Sequence, residues 1–211
     1  MIFSPFGASN GLRPIFSRFQ AVLDIFFGLV LKFPSMIGGK GEVTAHSEVT
    51  AHYSAQIAMA LGLPQDEIDN IRAASLLHDL GKVGISLSIL HKSSKLTKME
   101  FELIKKHPQI AADLIRPIQC LHDTIPLVLY HHERWDGKGY PAGLKGEQIP
   151  MGARIIAIAE VYVALTSNLP WRKAYSKKEA IKIIKKGSGT QFDPKVVNAL
   201  LKILKNEKNQ R

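Results

Sequence analysis

The stretch ARIIAIAEVYVAL, residues 153–165, is apolar almost all the way round a helical wheel. Such a helix has no face to give to solvent, so it must lie at the centre of a domain with other elements wrapped around it. Its length favours a helix over a buried strand. Glu160 sits inside it. An unpaired carboxylate buried there would cost on the order of several kcal/mol in desolvation. The fold must therefore bring Glu160 a partner, and a metal ion would serve.

Helical signals dominate the rest of the chain. Residues 52–63 carry Ile57, Ala60 and Leu61 at helical spacing and stop at Gly62 and Pro64. Residues 66–81 place Ile68, Ile71, Ala74 and Leu77 on one stripe, with Gly81 as the expected end. Thr97-Lys-Met-Glu100 reads as a capping box flanked by Leu96 and Phe101, which predicts a helix running toward His107. Ser176-Lys-Lys-Glu179 repeats that signature. Asp193-Pro194 sets a capping acid before a first-turn proline and opens the last helix. No long alternating stretch suggests a sheet. The expectation is one all-α domain over residues 41–211, preceded by an apolar helix or linker over residues 1–40.

In that leader, residues 15–33 are apolar but interrupted by Arg18, Gln20 and Asp24. The unbroken run from Ile25 to Leu31 is far short of the ~20 residues a bilayer crossing needs. A helix packing on the domain, or on a second copy in a homodimer, is expected, with no transmembrane span. The single cysteine, Cys120, excludes an internal disulfide and fits a cytoplasmic, reducing setting. The formal net charge of +10 favours anionic partners such as nucleotides, although much of the excess is a lysine-rich C-terminal face. No specific nucleic-acid partner is expected.

The segment HHERWDGKGYP, residues 131–141, sets two imidazoles side by side before a tight turn. Neighbouring helical residues point about 100° apart, so His131 and His132 make most sense converging on a shared ion. His78 and Asp79 are adjacent in LLHDLGK; an imidazole binds one divalent ion, and a carboxylate can bridge two. Glu42 and His46 are spaced to share a helix face. His107 precedes Pro108 near a helix end. With Glu160 these residues form an oxygen- and imidazole-rich set without thiolates, which suits iron or manganese at least as well as zinc.

The blocks HSEVTAHY, LLHDLGKVGI, ILHKSSKLTKMEFELIKKHPQIA, HHERWDGKGYPAGLKGEQIP, ARIIAIAEVYVALTS and GTQFDP resemble consecutive parts of the HD-GYP domain, over roughly residues 42–200. The resemblance implies a helical bundle of the HD superfamily and a centre of two or three divalent ions, typically iron or manganese. It implies bacterial signalling by hydrolysis of cyclic di-GMP to pGpG or GMP, with a metal-activated water as nucleophile. His46, His78, Asp79, His107, His131 and His132 fall on ligand positions, with Asp79 as the bridge. Glu42 falls on a carboxylate associated with a third ion, Lys82 on a phosphate-contacting lysine, and Arg172 on a substrate-side arginine. The turn Gly139-Tyr140-Pro141 is connected in the family with protein partners, GGDEF proteins among them.

The chain departs from the family pattern on one side of the pocket. Glu160 stands for the usual aspartate, Val163 removes a second carboxylate, Leu169 replaces an arginine, and Val49 stands where an arginine is common. These changes support an alternative reading, a weak or inactive module that senses cyclic di-GMP or binds a protein. Two further classes are a phosphohydrolase for mononucleotides or single strands and an interaction scaffold. A lost charge-assisted phosphate contact is worth roughly 1.5–3 kcal/mol. Leu169→Arg is accordingly expected to tighten cyclic di-GMP binding by roughly tenfold or more in calorimetry.

Overall fold

A computed structural model describes residues 42–92, 94–168 and 172–209. The apolar leader and Leu169 lie outside the described residues. Among the described residues, nine helices run in the order α1 (Glu42–Ala60), α2 (Gln65–Leu77), α3 (Leu87–Leu90), α4 (Lys98–Ile104), α5 (His107–Ile115), α6 (Ile125–Leu129), α7 (Met151–Thr166), α8 (Lys177–Lys186) and α9 (Pro194–Asn209). Three short 3-10 turns, Leu80–Gly84, Gln119–Thr124 and Gly146–Gln148, join them. The described residues contain no strand, only an isolated bridge between Ser188 and Phe192.

As its sequence requires, α7 is the axis of the domain. It touches α1, α2, α6, α8 and α9. It buries Ile155, Ile156, Ile158, Ala159, Tyr162 and Val163. Helix α1 ends as expected: Gly62 takes φ 76°, a left-handed conformation that glycine adopts freely, and the Leu63 N–H reaches back to the Ala58 carbonyl. Both capping boxes form. Thr97 accepts from the Glu100 N–H, and Ser176 accepts from the Glu179 N–H. Asp193 accepts from the Lys195 N–H at the head of α9.

Two boundaries differ from the sequence expectation. Helix α2 stops at Leu77 instead of running to Gly81, and a 3-10 turn follows. Gly81 is not a helix terminator. A Cβ there would lie 1.9 Å from the His107 carbonyl oxygen and 2.6 Å from the Ala111 nitrogen, so glycine lets this turn press against α5. The helix from Lys98 stops at Ile104, and His107 begins a new one. Pro108 explains the break, since it has no N–H to give to the carbonyl four residues back, that of Ile104.

The two glycines should therefore respond differently to alanine. Gly81→Ala forces backbone apart and is expected to destabilise by about 3 kcal/mol or more in chemical denaturation. Gly62→Ala meets no atom within 4 Å. It is expected to lose only the left-handed conformational preference, about 1–2 kcal/mol.

Candidate metal centre

Three histidines are placed by the same local device. Each sits just past the last turn of a helix or at the start of the next, where carbonyls lack helical partners. The His78 Nδ1–H donates to the Ser75 carbonyl at 2.7 Å, that of His107 to Ile104 at 2.8 Å, and that of His131 to Val128 at 2.6 Å. For His107 the acceptor is the carbonyl that Pro108 sets free. A carbonyl can only accept, so Nδ1 carries the proton in all three rings and Nε2 presents its lone pair.

These lone pairs converge. Ligand atoms of His107, His131 and His132 lie within 4.8 Å of one another, and so do those of His46, His78 and Glu160. The Nε2 atoms of His107 and His131 face each other at 3.4 Å. Asp79 stands between the two triplets, with Oδ2 3.5 Å from His78 Nε2 and Oδ1 3.6 Å from His107 Nε2. His78 Nε2 and Asp79 Oδ1 are fully buried without a hydrogen-bond partner. Opposed lone pairs and orphaned buried acceptors repel unless a cation lies among them, so the donor set fits two divalent ions.

The electrostatics agree with that reading. Burial holds the His46, His107 and His131 imidazoles below their ordinary range and pushes His132 down to about 3, with neighbouring histidines adding to the effect. Neutral rings are the form that binds metal. Burial by itself would raise the Asp79 carboxyl, but Lys82, then His78 and His107, hold it well below the usual range. Lys82 Nζ donates to Asp79 Oδ2 at 2.7 Å. Burial alone would lower the Lys82 ammonium, yet Asp79 and Glu160 keep it charged. Glu160 goes the other way: burial raises its carboxyl, with Asp79 adding and with His78 and Lys82 opposing.

The remaining expected site residues take varied places. Glu42 is the first residue of α1, and its side chain lies outside the described residues. Arg172 binds the end of α7, giving Nη2 to the Ala164 carbonyl at 2.7 Å and Nη1 to that of Lys173 at 2.6 Å, with its guanidinium 4.4 Å from the centre of the Tyr175 ring. Val163 lies in the core. In the loop Gly139–Pro141, the Tyr140 ring stacks on His132 at 4.8 Å and 30°. A Cβ on Gly139 would come within 2.4–2.6 Å of Arg134 N, Glu133 Cα and His132 O, so only glycine allows the loop to lie on the ligand segment.

Residues outside the expected set support that segment. The backbone N–H groups of Trp135 and Asp136 donate to the carbonyls of Gln191 and Thr190. The Arg154 guanidinium lies 5.6 Å from the centre of the Trp135 ring and donates to Asp193 Oδ2 at 2.7 Å. Asp193 thus joins the head of α9 to the ligand loop. Its pairing with Arg154 has no local sequence signal, because 39 positions separate them.

A family model described as HD domain matches residues 36–196. The chain belongs to the HD-domain family. Among relatives of this HD-domain chain is the cyclic di-GMP phosphodiesterase response regulator RpfG of Xanthomonas campestris pv. campestris, 40% identical over 77% of this chain and 43% of that protein. Another is the 3′3′-cGAMP-specific phosphodiesterase 2 of Vibrio cholerae, 36% identical over 76% of this chain and 31% of that protein. The chain thus spans less than half the length of these relatives. The solved structure of Bd1817, an HDG"Y"P protein of Bdellovibrio bacteriovorus, shares the fold with a TM-score of 0.64 at 22% identity, over 77% of this chain and 52% of that one. The HD-GYP resemblance drawn from the sequence blocks holds.

Acid should act on this centre in a predictable direction. His46, His107, His131 and His132 bind protons less readily folded than unfolded, where the ordinary value is 6.5. The unfolded state therefore takes up more protons as pH falls below 6.5, and stability is lost from there down to the folded values, about 3 for His132. Guanidinium titrations of chelator-treated protein are expected to show this decline, with a limiting slope of about 1.4 kcal/mol per pH unit for each such histidine. His132→Gln is expected to lessen the slope by about one proton.

Proposed function

We propose that the chain is a metal-dependent phosphodiesterase that hydrolyses cyclic di-GMP to pGpG, GMP or both. The observation that carries this reading is the pair of ligand triplets with Asp79 between them. His107, His131 and His132 would hold one ion, His46, His78 and Glu160 the other, and Asp79 would bridge both. Glu42 is proposed for a third ion. The thiolate-free donor set favours iron or manganese. Bound ions would supply Lewis acidity at the phosphoryl oxygens and lower the pKa of a water nucleophile toward neutrality.

The protein's own groups do the rest. The helix-end carbonyls keep three imidazoles in the correct tautomer throughout turnover. Lys82, held charged beside Asp79, offsets negative charge that develops on the phosphoryl group in the transition state. Glu160 would offer a carboxylate oxygen to the second ion. Tyr140 covers the outer face of His132 and bounds the pocket there. Arg172 is assigned to the substrate side as a positive charge at the end of α7. The same reading places the protein in the cytoplasm, with a GGDEF or other signalling partner at Gly139, Tyr140 and Pro141, and with a homodimer formed through residues 15–33.

Two competing readings have specific support. The relative named for 3′3′-cGAMP makes that dinucleotide a second substrate candidate. The apolar, buried Val163 supports an inert cyclic di-GMP sensor.

With added Mn²⁺ or Fe²⁺, the purified chain is expected to turn over cyclic di-GMP faster than 3′3′-cGAMP in a chromatographic assay. Elemental analysis is expected to find at least two ions per chain. Asp79→Ala is expected to lose both metal and turnover, whereas Glu160→Gln keeps one ion. A fully metallated protein that binds cyclic di-GMP in calorimetry and leaves it intact is the sensor, and the enzyme reading then fails.

A further inference from the structure

We infer that Glu133 is a positioning residue that fastens the Gly139–Pro141 loop onto the ligand segment, making Tyr140 a fixed wall of the nucleotide pocket and not a movable flap. The nucleotide half of this inference rests on the function proposed above; the fastening half does not.

Glu133 follows the ligand His132 directly, yet it is neither a ligand in either triplet nor a partner in any ion pair among the described residues. It is only 4% exposed. Its Oε1 accepts from the N–H groups of Ala142, at 2.6 Å, and Gly143, at 2.9 Å, while Oε2 is buried without a hydrogen-bond partner. A carboxylate is held here by two backbone amides, at a position where an apolar residue would bury without penalty. What those two bonds accomplish is closure. They join the start of the ligand segment to the residues just beyond Pro141, so the intervening loop becomes a ring tied at its neck.

Everything inside that ring is held in step. Gly139 lies against the backbone of His132, Glu133 and Arg134. The Tyr140 N–H donates to the His132 carbonyl at 3.3 Å. Asp136 accepts a bidentate pair from Arg134, at 3.0 and 2.8 Å, and the Lys138 N–H donates to it at 3.1 Å. Lys105 sets its ammonium 5.7 Å from the Tyr140 ring centre. The ring of Tyr140 thereby stays stacked on His132, the candidate ligand that borders the loop. Further along, the Gly146 N–H donates to the Trp135 carbonyl at 3.0 Å, but the Glu133 bonds are the ones that hold Ala142 and Gly143, the residues leaving Pro141, against the ligand segment. Removing the carboxylate frees the stretch between Pro141 and that Gly146 bond.

The test uses the full chain loaded with Mn²⁺ and three variants: Glu133→Ala, Glu133→Gln and Glu133→Asp. A glutamine oxygen can still accept both amides, an alanine accepts none, and the aspartate oxygens fall one methylene short. Hydrogen exchange by mass spectrometry is read on peptides covering residues 139–146, with metal content measured in parallel. We expect at least tenfold faster exchange in Glu133→Ala, an intermediate rate in Glu133→Asp, and near wild-type protection in Glu133→Gln, with metal content unchanged in all. Should Glu133→Ala not fold, the Asp and Gln pair carries the same comparison. With cyclic di-GMP, KM is expected to rise about tenfold in Glu133→Ala while kcat stays within threefold, and Gln is expected to restore KM. Unchanged exchange overturns the fastening role, and so does metal loss in step with faster exchange. Faster exchange with unchanged KM overturns the wall. Should wild type itself turn over no nucleotide, the function reading fails and the exchange data still decide the fastening.

Discussion

The structure depends on one hydrogen bond used three times: an imidazole Nδ1–H given to a carbonyl at the frayed end of a helix. That bond satisfies an acceptor the helix cannot, sets the tautomer, and aims Nε2 away from the helix that supplies it. Once Ser75, Ile104 and Val128 each hold a ring, the positions of His78, His107 and His131 follow from where α2, α4 and α6 end. The apolar packing around α7 then decides that these three ends meet. Fold and chemistry are joined at helix termini, where a few degrees of helix rotation would move the lone pairs apart.

Electrostatics divides the carboxylates into two kinds within one cluster. Lys82 draws the Asp79 carboxyl down, while burial on the apolar α7 draws that of Glu160 up. The difference arises from neighbours and not from the acid itself. The centre thus sets a carboxyl favoured as the anion, between the two triplets, beside one whose burial opposes ionisation.

Much of this was legible in the chain. Several members of the candidate ligand set stood out because they broke a local pattern: Glu160 in an apolar helix, His107 ahead of a proline, paired histidines ahead of a turn. Capping boxes at Thr97 and Ser176 were readable because caps are local. Gly81 was misread as a terminator, since its need is to admit the backbone of α5, which no local pattern announces. Pro108 carried the signal for the break after Ile104, but its effect on a histidine ring required the third dimension. Glu133 left a faint trace, an acid amid ligands and turn glycines, and its partners Ala142 and Gly143 are backbone groups that any residue could supply. The Arg154–Asp193 contact left none, because a buried ion pair between distant helices has no spacing rule.

That last contact has a consequence for how the molecule is made. All candidate ligands, from Glu42 to Glu160, precede the Thr190–Asp193 segment that seats Trp135 behind His131 and His132. A ribosome therefore releases a complete set of imidazoles and acids before it releases the brace that steadies two of them. An ion taken up at the candidate site would meet the braced arrangement only after residues 190–193 have been made.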